Sequence, residues 1–307
     1  MRLPFILSLF LAVTPALAQP VLRLPLSCTL GEDCFLQNYV DVDPGPGAAD
    51  WTGGPLSYDG HKGTDLRLTD LAAMEAGVPV LAPAAGTVVA ARDGMPDVEM
   101  VEGTDLGGRD CGNGIVIDHG DGWETQLCHL RRGSVLAAEG SAVAAGDVVG
   151  QVGLSGATQF PHVHLSARHD GDVVDPFQAD LWDTTPPYEP GGLMAAGFAD
   201  GVPDYTAVKA GTAAAGALSN DGPALVIWAS VFGGRDGDVI RLTFEDPDGA
   251  EAFAADIPLD RDQAQLFRAA GRRTPPGGWP AGRYAGLATL IRDGQEIDRI
   301  ETGVTMR

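Results

Sequence analysis

The chain has 307 residues, enough for one large domain or two ordinary ones. Its 42 acidic residues against 20 basic ones give a formal charge of -22. That surface excludes nucleic acid and anionic lipid as partners, because both are bound through Lys and Arg contacts to phosphate.

The first eighteen residues have the layout of a secretory signal. Arg2 is the charged start, Leu3 to Val13 is an apolar run, and Ala16-Leu17-Ala18 supplies the small-x-small cleavage pattern. The run is shorter than the ~20 residues a bilayer-spanning helix needs, and no other stretch approaches that length. The mature chain is expected to start near Gln19, at a formal charge of -23 once Arg2 is gone, and to be periplasmic or secreted without a membrane span. An exported chain with an even cysteine count favours disulfides over thiolate metal sites. The four cysteines fall into two local pairs, Cys28 with Cys34 and Cys111 with Cys128.

From about residue 52 to 180, short apolar runs alternate with Gly, Pro and Asp. PVLAPAAGTVVAA, GIVIDHG, WETQLCHL, DVVGQVG and HVHLSAR read as strands of an all-β domain. AAMEAG (72–77) is the only predicted helical turn, and Asp93 to Asp110 is a long loop. TTPPYEPGG (184–192) has the composition of a linker, placed at 186–192 between a domain over 19–185 and another over 193–307. The latter, with ALVIWASVF, DVIRLTFEDP, AEAFAADIPL, GRYAGLATLIRD and IDRIETGVT, fits about seven strands of a small immunoglobulin-like β-sandwich. It has no Cys or His, so binding or spacing is its expected role.

The chemistry concentrates in the histidines of the first domain. His61 and Asp65 stand four apart in HKGTD, His162 and His164 stand at i and i+2 and share a strand face, and His129 ends another predicted strand. A catalytic zinc needs three ligands from imidazole and carboxylate and one position open to water. His61, Asp65 and one histidine of the HVH pair meet that need, and the remaining two histidines are available as base and oxyanion stabiliser. No glutamate neighbours the ligand pair as in HExxH enzymes, so imidazole takes the base role. His119, His169, Asp118 and Asp121 sit at turns and read as structural. Asn113 reads as a turn holder, and Ser155 and Thr158 as residues of the loop before the histidine pair.

HKGTDL, PVLAPAAGTVV, GNGIVIDHGDGWETQLCHL, GDVVGQVGLSGAT and PHVHL follow one another as in the lysostaphin-like (LytM-type) zinc endopeptidases, and the chain resembles that family over roughly residues 55–178. The resemblance implies the antiparallel fold called the duplicated hybrid motif. It also implies one zinc per chain held by His61, Asp65 and His164, with His129 and His162 as catalytic histidines, His162 favoured as the base. The implied substrate is the peptide cross-bridge of peptidoglycan, with an envelope protein as a further partner through the C-terminal domain. Other readings are a non-enzymatic activator of wall hydrolases, against which the complete His/Asp set counts, and a zinc peptidase for non-wall peptides. Relatives often carry an aromatic residue where this chain has Leu127, a change expected to alter the substrate groove. The C-terminal domain either binds wall or partner, or covers the cleft.

Overall fold

The alternating runs become two stacks of β-sheet with separate apolar cores. In this computed structural model residues 19–101 and 103–307 are described, and the predicted secretory segment lies outside the described residues.

The first part of the chain carries β1 (Cys34–Asn38), β2 (Thr64–Leu68), helix α1 (Leu71–Ala76), β3 (Pro79–Leu81), β4 (Gly86–Arg92) and β5 (Asn113–Gly120). It continues with β6 (Trp123–Leu130), β7 (Ala142–Val143), β8 (Val148–Gln151), β9 (His162–His169) and β10 (Asp172–Val174). Its main antiparallel sheet runs in the order β1-β2-β9-β6-β5-β4-β7, with β10 also paired to β9, while β3 and β8 form a second small sheet. Alternation sets the faces. In β5, Ile115 and Ile117 point into a core shared with Leu66, Leu127, Val163 and Leu165. The residues that alternate with these core positions, Asp65 on β2 and His164 on β9 among them, are left to line the other face. Helix α1 begins where the Asp70 side chain accepts from the Ala73 N–H, and it stops at Gly77, whose φ of 87° an L side chain resists.

The second part holds β11 (Gly192–Ala199), helix α2 (Tyr205–Ala210), β12 (Ala217–Leu218), β13 (Ala224–Gly234) and β14 (Val239–Glu245). It ends with β15 (Glu251–Pro258), β16 (Gln263–Arg273), β17 (Gly282–Arg292) and β18 (Gln295–Met306). A three-stranded sheet, β11-β13-β16, faces a five-stranded one, β12-β18-β17-β14-β15. This division of sequential strands between two sheets is that of an immunoglobulin-like sandwich. Its core is built on Phe198, Ile227, Leu242, Phe244, Tyr284 and Leu290. The expectation of an all-β chain therefore holds. It is not complete: α2 is a second helix, ended by left-handed Gly211, beyond the one helical turn expected from the sequence. The strands β11 and β16 were also not separately legible.

The segment 186–192 is packed on both sides. Tyr188 stacks on Tyr39 at 5.4 Å and donates to Asp50 at 2.7 Å, and Glu189 accepts from the Leu36 N–H. On the other side, the Pro190 carbonyl accepts from Arg292, which also forms a buried two-pronged pair with Asp238. Phe35 of β1, Met194 of β11 and Phe232 of β13 close a small apolar cluster between the two cores. These contacts fix the sandwich beside the β1-β2 edge of the first sheet, near the histidines.

Candidate metal centre and cleft

The register of three neighbouring strands brings the five singled-out residues together. Asp65 on β2 lies opposite His164 on β9, and His164 lies opposite Cys128 on β6, so that His129 comes next to the pair. His162, two residues before His164, shares its strand face, and His61 reaches in from the loop before β2. Gly63 is what permits this approach, since a Cβ there would stand 2.4 Å from His164 Nε2.

Asp65 Oδ1 is the hub. It lies 2.8 Å from His164 Nδ1, 3.3 Å from His61 Nε2 and 3.3 Å from His162 Nε2, while His61 Nε2 and His164 Nδ1 are 3.2 Å apart. Two ligand atoms each ~2.05 Å from a tetrahedral ion stand ~3.3 Å apart, so this spacing fits a small divalent metal. Two triads are close enough to hold one, His61 with Asp65 and His164, and His129 with His162 and His164. The first contains the carboxylate and keeps its outer atoms engaged. His61 Nδ1–H donates to the Tyr39 carbonyl at 2.7 Å, which leaves the Nε2 lone pair aimed at the centre. His164 Nε2–H donates to Ser166 Oγ at 3.0 Å, whose hydroxyl donates on to the Lys62 carbonyl, which leaves Nδ1 facing in. Asp65 Oδ2 accepts from Asn38 Nδ2 at 3.0 Å. Outer hydrogen bonds of this kind fix tautomer and ring plane in metal sites.

The electrostatics follow from burial and proximity. Burial opposes ionisation of Asp65, yet His162 and His61 beside it hold its carboxyl well below the usual range. For His61 burial works against the proton, but Asp65 more than compensates and its pKa rises. Burial lowers His164. Burial, with His162 and His164 as like-charged neighbours, pushes His129 well below the ordinary histidine value, so it is neutral at pH 7.

His129 and His162 are held alike, each by its Nδ1. His129 Nδ1–H donates to the Ser155 carbonyl at 2.7 Å, and His162 Nδ1 faces Phe160 O at 3.0 Å and Thr158 Oγ1 at 3.1 Å. Their rings are 4.6 Å apart. His129 has a left-handed backbone, φ 62°, unusual for a residue with a Cβ. Its N–H donates to the Cys111 carbonyl at 2.8 Å, and the Cys111–Cys128 disulfide closes the same corner. Cys28 and Cys34 are also bonded.

A cleft of about 410 Å³ opens above His129 and His164, lined also by Tyr58, Lys62, Gln126 and Arg168. Among the described residues, none from 193–307 lines it, so the sandwich does not cover this approach. Leu127 does not reach it either. Its side chain is fully buried in the first core, on the face of β6 opposite the cleft, so the expectation that it alters the groove is not met. His119 spans the Ala85 carbonyl and Thr125, and Asn113 ties Met95 to Leu130; both are structural. At the start of the long loop, Asp97 accepts from the Leu154 and Arg132 N–H groups. Asn38, Tyr39, Tyr58 and Phe160 were not singled out from the sequence; Asn38 and Tyr39 come from a remote segment that no spacing rule links to the centre, whereas Tyr58, three residues before His61, and Phe160, two before His162, were within reach. Ser166 was within reach, being two residues past His164 on the same strand face.

Comparison with known proteins bears on the same stretch of chain. Residues 59–176 match the model of Peptidase family M23, and that stretch contains all five of His61, Asp65, His129, His162 and His164. A DD-carboxypeptidase/endopeptidase Mpg of Neisseria meningitidis is 34% identical over 108 residues, 35% of this chain and 23% of the relative. Its Neisseria gonorrhoeae counterpart is 33% identical over the same shares. The chain thus spans about a quarter of the length of the curated relatives it matches. Among solved structures, the catalytic domain of lysostaphin from Staphylococcus simulans is 22% identical, with 46% of this chain and 87% of that one covered at a TM-score of 0.30. A zinc-containing peptidase from Vibrio cholerae is 25% identical, with 49% and 41% covered at a TM-score of 0.32.

Proposed function

We propose that this chain is an exported zinc metalloendopeptidase that hydrolyses the peptide cross-links of bacterial peptidoglycan, with 1–18 as signal, 19–185 as peptidase domain, 186–192 as connection and 193–307 as sandwich. One observation carries the reading: the inward atoms of His61, Asp65 and His164 converge at metal-ligand spacing while each outer atom is engaged by the chain. In this reading those three residues hold zinc and His129 and His162 are catalytic. When bound, zinc supplies a Lewis acid that acidifies water and polarises a carbonyl.

The chain's own groups supply the rest. His129 and His162 each present Nε2 to the centre, because Nδ1 of each is engaged by the chain. One neutral ring accepts the proton of the attacking water at Nε2 and returns it to the leaving amine. The other, carrying on Nε2 a proton taken from solvent before the reaction and kept through it, donates to the oxyanion of the tetrahedral intermediate. Burial of both rings keeps bulk water from competing for those protons. The relatives named as DD-carboxypeptidase/endopeptidase support the substrate class.

The test is incubation of the zinc-loaded mature chain with cross-linked muropeptide dimers, with His162→Ala as the control, followed by mass. Conversion of dimers to monomers by the wild type alone is expected. No conversion at one bound zinc per chain would overturn the reading.

A further inference from the structure

A second groove, about 550 Å³, lies on the other flank of the site between the two cores. On the peptidase side it is lined by Asn38, Tyr58 and Phe160, and each of these touches the centre. Asn38 bonds Asp65 at 3.0 Å, Tyr58 packs on His61 at 4.3 Å, and Phe160 stacks on His162 at 4.5 Å. On the sandwich side it is lined by Arg235, just after β13, and by Gln263 and Gln265 of β16. Tyr58 lines both this groove and the cleft over His129, so the two hollows meet at the centre. An extended peptide rises ~3.3 Å per residue, so a strand of a few residues on either side of a scissile bond needs room on both flanks.

Arg235 sets the chemistry of the second flank. Among the described residues, no side chain or carbonyl accepts a hydrogen bond from its guanidinium and no carboxylate pairs with it, and its Nε is buried without a partner. The other arginines near the junction are engaged. Arg67 donates to Gln37, the Leu68 carbonyl and Gln265, and Arg292 is clamped on Asp238. Asp262, which also lines the groove, accepts instead from the Asp236 N–H. The root of the Arg235 side chain is fixed, because its own N–H donates to Asp238. In a chain of net charge -22, an unclaimed guanidinium beside an open groove is set to take an external anion. Its planar fork matches a carboxylate.

We propose that this groove receives one arm of an extended peptide substrate and that Arg235, contributed by the sandwich, binds a carboxylate on that arm. The proposal rests on the peptidase reading above for the identity of the peptide. Free carboxylates are what a cross-linked wall peptide offers at its stem ends.

The test uses the full-length mature chain, stripped of metal so that nothing is turned over. Isothermal titration measures binding of a sugar-free cross-linked tetrapeptide dimer, as the free acid and with its carboxylates converted to carboxamides, to wild type and Arg235→Gln. The expected result is a roughly tenfold weaker Kd for the acid on substitution, a similar loss for wild type on amidation, and no further loss when both changes are combined. Unchanged affinity of R235Q for the acid, equal losses on acid and amide, no binding to wild type, or Arg235-dependent binding of a peptide-free glycan strand would each overturn the proposal. An equal melting temperature for R235Q shows that the fold is kept; if it is lowered, Arg235→Lys, which retains the charge, must bind the acid more tightly than R235Q at matched folded fraction. Dimer cleavage by the zinc-loaded chain is scored separately. Arg235-dependent binding without cleavage refutes the proposed reaction and leaves the groove standing, and cleavage without that dependence does the reverse.

Discussion

Removing the Cys111–Cys128 bridge, as the double variant C111A/C128A, tests how His129 is held. The two cysteines are 17 residues apart, and closing such a loop stabilises the fold by about 3 kcal/mol on the chain-entropy model. The bridge also bears on a strained residue. His129 has a φ of 62°, a conformation that costs a residue with a Cβ about 1–2 kcal/mol. It is kept there by the bond from its N–H to the Cys111 carbonyl, by the ring bond to Ser155, and by the bridge at its neighbour Cys128. Without the sulfurs the Cys111 end is free to withdraw and the backbone of His129 relaxes. Calorimetry should show the peptidase unit melting about 6–12 °C lower, from about 3 kcal/mol in a unit of this size. Zinc content should stay at one per chain, because His61, Asp65 and His164 are placed by other strands. The kcat for muropeptide dimers should fall at least about tenfold, since loss of a positioned acid–base group costs on the order of a hundredfold or more. A melting temperature within about 1 °C of wild type, or full kcat in the variant, would refute the reasoning.

Three further expectations concern the groups around the site and the junction. Asn38→Ala strips the partner of Asp65 Oδ2, and zinc affinity measured by chelator competition should drop about 10–100-fold with little change in melting; an unaltered affinity would show that Asn38 does not orient the carboxylate. Glu189 is pushed up to about 7 by burial, with Asp298 adding to the rise. Its folded pKa lies above the unfolded value, so stability is full below about pH 4.5 and is lost as pH rises through about 7. Glu189→Gln should therefore gain about 2 kcal/mol at pH 8 and much less at pH 5 in urea unfolding, whereas a gain independent of pH would contradict the assignment. Arg292→Ala leaves Asp238, 1% exposed, without its counter-charge, and unfolding should cost the sandwich about 3–5 kcal/mol; a loss under about 1 kcal/mol would show that the pair carries no such weight.

The sequence by itself picked out the five residues that the fold brings together. Residue type at short spacing is enough for this, because i and i+2 on a strand must share a face and HxxxD followed by HVH offers a divalent metal its donors. The strand character of the chain was legible for the same reason: alternation in WETQLCHL and HVHLSARH has only one solution with an apolar inside. An even cysteine number, in a chain whose sequence reads as exported, likewise favoured the two bridges that are seen. What the sequence left open belongs to long-range pairing. β16, QAQLFRAAGRR, is rich in residues that favour helix, and it is a strand only because β13 pairs along its length. Leu127 was expected to alter the groove because relatives often carry an aromatic residue there, but the register of β6 turns it into the core. The outer partners of the centre, Tyr39 and Asn38, lie more than twenty residues from the groups they hold, and only the fold brings them there. The side of the site on which the sandwich stands, and the guanidinium it leaves open there, depend on how two cores pack. No local pattern encodes that, since it is decided by surfaces such as Phe35, Met194 and Phe232 that meet only after each core has formed.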